Sequence, residues 1–438
     1  MRKIIYFLFF VYIIYALSGC NEVTNKVINR DPDSSFVNTK HLDHLYTPIT
    51  FHDGTKAAGI YIYSEYPDYH LVADNDEGFT CVDDVSRAAL VYLRSKNFKT
   101  DTALQAKVFD LLHFILEMQS GNGYFYNFLF PDNTINKNGK TSVNEGNWWS
   151  WRTLQTLTEA APAIKSINPK LYDRIDSSIK KLVGKIKSDI INITRTTKKV
   201  NGITVPQWLP AGSATDQSAI IILGLIQYNQ VNNDTVITSY IKKLADGIVM
   251  MQKGDSVNFP YSCFLSWENV WHAYGNDQAY ALFKAAEFFK DTIYSQKAFA
   301  EVDNFYPWLL KNGLRSSFYI NKTANKFQPV NEKKYAQIAY GIRPMVFAAA
   351  EAYRLTEDLK YADMAANLAA WLLGSNEAKI KMYDKLSGRC YDGIVAKDSV
   401  NHNSGAESTI EALLTLQRVE NFPLINSALN KYNSSLYK

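Results

Sequence analysis

Cysteine is scarce in this chain: Cys20, Cys81, Cys263 and Cys390 are the only four in 438 residues. They form no CxxC pair and have no histidine at ligand spacing, which argues against a zinc site; no metal or cofactor is expected. With Cys20 set aside the remainder is odd, so at most one disulfide can form, and the spacing does not choose the pair. A second long apolar run is also missing. Beyond residue 20 every apolar stretch carries charges at helical spacing, which excludes a later membrane-spanning helix. Nor does one sign of charge dominate. The net charge of +4 falls to +2 once Arg2 and Lys3 are left out, and without a basic stripe nucleic acid is not an expected partner. The one basic patch, seven Lys and Arg between Lys180 and Lys199, reads as a solvated outer helix face and the turn after it.

What is present begins with an export signal. Met1-Arg2-Lys3 gives a short positive start, Ile4 to Leu17 is almost unbroken apolar sequence, and Leu17-Ser18-Gly19-Cys20 closes it with small residues. The apolar part is shorter than the roughly 20 residues that span a bilayer. The ending resembles the lipobox of bacterial lipoproteins, which implies cleavage after residue 19 and a lipid on Cys20. Acyl chains there bury enough methylene for lasting attachment. Residues 21–45 are polar with little periodicity and read as a tether. The expected location is a membrane-anchored lipoprotein of the outer membrane, on its periplasmic face or at the cell surface.

From about residue 80 a repeat sets the fold. Six small-residue-rich apolar helices are predicted to start near Asp83, Asn147, Asp216, Asn276, Gln337 and Gly405, about 60 to 70 residues apart. Each is followed by a more charged amphipathic helix, starting near Ala103, Leu171, Thr235, Ser295, Leu359 and Phe422. In this second set apolar residues recur at i, i+3, i+4 and i+7, the pattern of one buried face. Six pairs of one buried and one half-exposed helix predict an all-α (α/α)6 toroid over residues 46–438, a monomer, with a short extended segment over 46–80. An open solenoid of tetratricopeptide units would repeat at about 34 residues.

In a toroid the loops before the six inner helices meet at one end, and here those loops carry the unusual chemistry. They hold carboxylates (Asp83, Asp84, Glu145, Glu268, Asp392, Glu407), arginines (Arg87, Arg152, Arg389), and Asn127 and His272. They also hold Trp148, Trp149, Trp267 and Trp271. Aromatic faces with carboxylates and amides suit a sugar, and glycoside hydrolysis needs two carboxyl groups. The best acid/base candidates are Asp84 and Glu145, with Asp83 and Glu407 in reserve. The arginines would suit an acidic sugar. Each residue has a plainer role as well: carboxylates cap helix starts, tryptophans pack between helices, arginines pair between helices, and a loop histidine satisfies backbone groups.

CVDDVSRAALVYL with GYFYNFL, and GRCYDGI with NHNSGAESTIEALLTL, resemble segments of bacterial six-hairpin glycosidase-like proteins. The resemblance implies the (α/α)6 fold and an oligo- or polysaccharide ligand, and brings no proven catalytic pair. Unsaturated glucuronyl hydrolases share such a toroid, and Asp84 is similar in position to their aspartates. The expectation is thus a glycoside hydrolase acting on a polysaccharide-derived glycan, possibly an acidic one, outside the cytoplasm. Two alternatives stand beside it. One is a polysaccharide lyase using Tyr261, Asn269, His272 and Tyr274; the other is a non-catalytic glycan-binding lipoprotein. The lack of a DxDD motif argues against a toroidal cyclase or prenyltransferase.

Overall fold

The computed structural model describes residues 35–435 apart from 191, 192 and 325. The leader, Cys20 and most of the polar segment after it lie outside the described residues. Twelve described helices alternate between two layers. The inner ones are α1 (Val82–Leu93), α3 (Trp148–Ile167), α5 (Thr215–Asn232), α7 (Gln278–Phe289), α9 (Ala339–Thr356) and α11 (Ala406–Glu420). The outer ones are α2 (Thr102–Glu117), α4 (Pro169–Ile190), α6 (Thr235–Met250), α8 (Thr292–Asn312), α10 (Leu359–Ala369) and α12 (Pro423–Ser435). Each inner helix packs on the next, and α11 packs back on α1. That last contact closes the ring and makes the fold an (α/α)6 toroid.

The two layers differ as their sequences dictate. Helix α4 buries one stripe, Leu171, Ile175, Ile179, Leu182, Val183 and Ile186, and turns its lysines outward. Lys180 and Lys185 there pair with Asp176 and Asp189 one turn away, the solvated face expected of the basic patch. Helix α5 is buried nearly all round, polar Thr215 to Ser218 included. Small residues let such helices approach. A Cβ on Gly224 would lie 2.8 Å from Leu154 Cγ and 3.0 Å from the Gln155 backbone nitrogen, both on α3.

The two ends of the ring differ too. At one end α5, α7 and α9 stop in left-handed residues, Asn233, Lys290 and Glu357. The next residue in each case, Asp234, Asp291 or Asp358, caps the following outer helix through its carboxylate. At the other end the connections are long and folded into hairpins. Ile203–Pro206 pairs with Thr197–Val200, and Ser317–Thr323 pairs with both Val270–His272 and Lys326–Lys333. The expected extended segment is two more hairpins, Tyr46–Thr50 with Lys56–Ile60 and Tyr63–Glu65 with His70–Val72.

The fold begins earlier than the polar character of residues 21–45 suggests. Phe36 is buried with its amide donating to Glu420 Oε1 at 2.7 Å, and a short helix, Lys40–Leu45, buries His41, Leu42 and Leu45. A few apolar side chains in a polar stretch are enough to dock it. Cys81, Cys263 and Cys390 are buried and free.

Candidate active site

The N-termini of the inner helices face the long loops, and a cleft of about 460 Å³ opens there. Its wall includes Tyr63, Cys81, Asp83, Asp84, Arg87, Asn127, Trp148, Trp149, Tyr340, Asp392, Glu407 and Ser408. The extended backbone at Cys81 starts α1, and its sulfur accepts the Asp84 amide, so the cysteine caps the helix and Asp83 is left for other contacts. Asp83 and Asp84 sit one turn before Arg87, which brings all three side chains to one spot.

Arg87 organises that spot. Its Nη2 donates to Asp83 Oδ2 at 2.8 Å and Asp84 Oδ1 at 2.6 Å, and it lies 3.3 Å from Glu407 Oε2. Its Nη1 donates to Glu411 Oε1 at 2.8 Å. Arg152 Nε lies 2.8 Å from Asp83 Oδ1. Arg343 grips both oxygens of Asp277 at 2.8 Å and donates through Nε to Glu411. The ring of Tyr340 lies beneath the guanidiniums of Arg87, Arg152 and Arg343, at 5.2, 5.0 and 5.6 Å, and its hydroxyl accepts from Arg152.

The carboxyl groups divide into two kinds. Burial alone would raise Glu411, but Arg343, Arg87 and Arg152 outweigh it and hold the group below the ordinary glutamate range. Glu407 is the most open of the cluster, its side chain 44% exposed at the cleft wall, and the surrounding protein removes part of its water. That desolvation pushes its carboxyl up to about 7, against the pull of Arg87 and with help from Asp84, Glu411 and Asp83. Asp84 is raised as well, chiefly by burial and against Arg87. It also accepts from the Cys81 thiol at 3.3 Å, a thiol that burial keeps protonated.

The remaining candidates fall in several places. Asn127 reaches the Asp83 amide at 3.2 Å. Trp148 stands at the cleft wall, with the Arg152 guanidinium 5.7 Å from its ring. Trp149 packs inward, its indole donating to the Phe125 carbonyl at 2.7 Å. Asp392 is held by the Ser408 hydroxyl and the Gly405 amide at 2.7 and 2.9 Å. His272 lies 3.0 Å from Asp216 Oδ2 and 2.9 Å from the Tyr274 carbonyl, stacked on the Tyr274 ring. Trp267 and Glu268 are at the rim, where Glu268 pairs with Lys198 at 2.6 Å.

Three expectations change. Glu145 is exposed, hydrogen-bonded to Asn147, and outside the carboxyl cluster, because its loop turns away before α3 begins. Trp271 is fully buried against Phe318, on the inward face of its strand, and offers no platform. Arg389 lies off the cleft, 4.2 Å from the Tyr69 ring, while Arg87 and Arg152 are committed to carboxylates. The pairing of an acidic sugar by these arginines therefore has no free guanidinium to rest on. The four residues of the lyase alternative are also divided, since Asn269 is buried against the Ile320 carbonyl and Tyr261 stacks on Trp308.

Tyr340, Arg343 and Glu411 lie inside helices, away from the loops in which carboxylates and aromatics stand out in the sequence. The available signal was an arginine and a glutamate one turn into helices otherwise rich in alanine. Charge on a helix buried all round needs a partner on a neighbouring helix.

No family model matches the chain, and no curated protein matches it in sequence. Solved structures do match in shape. Cellobiose 2-epimerase from Bacillus thermoamylovorans superposes with a TM-score of 0.59 at 12% identity, over 88% of this chain and 96% of that one. A sugar epimerase from a ruminal bacterium gives 0.57 at 12% identity, over 87% and 95%. The fold is that of the six-hairpin glycosidases. Cellobiose 2-epimerase from Spirochaeta thermophila agrees, with 0.57 at 11% identity over 89% and 94%. At such identities the likeness is one of six-hairpin architecture.

Proposed function

We propose that this six-hairpin protein is a carbohydrate-active enzyme that hydrolyses a glycosidic bond in an uncharged glycan, with Glu407 as proton donor and Asp83 as its carboxylate partner. The observation that carries the reading is that both carboxyls contact the same nitrogen of Arg87. Their oxygens therefore lie within about 6 Å of each other, toward the short end of the range for glycosidase pairs. In that arrangement the Glu407 proton passes to the glycosidic oxygen as the C–O bond breaks, and an Asp83 oxygen bonds the anomeric carbon. Water then attacks that carbon, giving its proton to the Glu407 carboxylate and releasing Asp83, with net retention of configuration. With Glu407 holding its proton, four carboxylates (Asp83, Asp84, Asp277 and Glu411) against three guanidiniums still leave an excess of negative charge, which disfavours an acidic sugar. Sugar as the ligand is also supported by the names of the shape-matched epimerases.

The test is a screen of neutral polysaccharides for new reducing ends, repeated with Glu407→Gln and Asp83→Asn. Loss of about 10²-fold or more in each variant is expected if these groups do the proton and carbon chemistry. Full activity in both would remove the assignment, and products of unchanged length with inverted C2 would make the protein an epimerase instead. The leader supports a place outside the cytoplasm, held by lipid on Cys20. Mass spectrometry of the mature protein should find acyl chains on an N-terminal Cys20; an unmodified cysteine there would refute the anchor.

A further inference from the structure

Five aromatic side chains are more than a third exposed among the described residues: Tyr63, Tyr66, Trp267, Tyr274 and Tyr319. All five lie in connections that lead from an outer helix or the N-terminal hairpins into an inner helix, at the mouth end. The turns at the opposite end expose none. Isolated exposed aromatics are ordinary, but five gathered at one end of a ring around a carboxyl cleft are not.

They also connect. On one side Tyr274 stands 6.2 Å from Tyr340 and 6.5 Å from Trp148, both in the cleft wall. Tyr319 sits opposite Val270, two residues or about 7 Å along the strand from His272. Cross-strand partners share a face, so Tyr319 lies on the face opposite buried Trp271 and Phe318. Trp267 lies just before that strand, bridged to Val270. On the other side Tyr63 belongs to the cleft wall. Tyr66 continues outward from it to His402, whose ring stacks on Tyr391 beside Asp392.

We propose that these two arcs are subsites for consecutive residues of an extended glycan chain, which crosses the mouth with the scissile bond over Glu407 and Asp83. This rests on the glycan reading above and adds chain length to it. Aromatic faces suit the C–H faces of sugar rings whatever the linkage, and one arc leads into α1 and the other into α7 and α9, so the platforms come from separate parts of the ring. The test is calorimetric titration of the full chain carrying Glu407→Gln with cello-, xylo- and manno-oligosaccharides of two to six residues. In a series that binds, affinity should rise by at least about tenfold from the disaccharide to the pentasaccharide. Tyr319→Ala and Tyr66→Ala, each on a different arc and each checked for an unchanged melting temperature, should lose much of that gain. A disaccharide bound as tightly as a pentasaccharide, or a gain both variants keep, would overturn the extended chain and leave the glycan reading standing. Binding of no oligosaccharide in any series would overturn both.

Discussion

Glu407 carries the proton-donor role in the proposed reaction, and its environment makes a directional prediction. Its carboxyl is raised to about 7 because loss of water disfavours the anion more than Arg87 favours it. A general acid must hold its proton before the bond breaks, so kcat/KM should fall as pH rises through about 7. The descending limb should vanish in the residual activity of Glu407→Gln, since the amide has no proton to lose in that range. A pH profile of cleavage by both proteins checks this, and an unaltered alkaline limb in the variant would assign it to another group. At this scale the loops told only part of the story. Asp83 and Glu407 were legible as carboxylates at helix starts, but that Glu145 lies outside their cluster was not, because adjacency in a loop says nothing of which way the loop turns. Arg87 was legible as one turn from the aspartates. Its grip on Glu411, 324 residues later, needed the ring to close.

At the scale of elements, the helices were the readable part, because hydrophobic period and small-residue content mark an inner helix from an outer one before any contact is known. Predicted starts at Asp83, Asn147, Asp216, Asn276, Gln337 and Gly405 fall within two residues of the observed ones. The hairpins at the mouth were less legible, since their strands are short and polar and owe their pairing to the ring beneath them. Two substitutions separate local from tertiary control of these helices. Asp101 accepts the Leu104 amide at 3.0 Å at the start of α2, and Asp101→Ala should cost about 1 kcal/mol, the usual value for a lost cap. Gly224 lies where α5 meets α3, with backbone as well as the Leu154 side chain in the way of any larger residue. Gly224→Val should cost more, roughly 1–3 kcal/mol, because overpacking must push one inner helix outward. Urea denaturation of both variants tests the order; equal losses would mean the helices meet more loosely than the Gly224 contacts require.

For the molecule as a whole, what distinguishes a closed ring from a solenoid is the contact between its first and last inner helices, and Glu411 reinforces that contact. From α11 it reaches Arg87 on α1 at 2.8 Å and Arg343 on α9, while Arg343 reaches back to Asp277 just before α7. Three inner helices are thereby joined through one fully buried carboxylate, and Arg343 ties in the start of a fourth through Asp277. Replacing such a pair by apolar groups can be neutral, but removing one partner leaves buried charge unmatched and costs roughly 3–5 kcal/mol. Glu411→Gln, which keeps the shape and removes the charge, should cost less, roughly 1–3 kcal/mol, because Arg87 keeps Asp83 and Asp84 and Arg343 keeps Asp277. The pH dependence follows with a definite sign. The folded-state pKa of Glu411 is depressed, so its contribution is complete above the unfolded value of about 4.5 and is lost as pH falls through the folded one. The wild type should therefore lose stability on acidification faster than Glu411→Gln, and the two unfolding curves should converge at low pH. Curves that stay parallel from pH 7 to pH 3 would show that closure rests on apolar packing between α11 and α1, with the ion pairs serving only to place Arg87 beside Asp83 and Glu407.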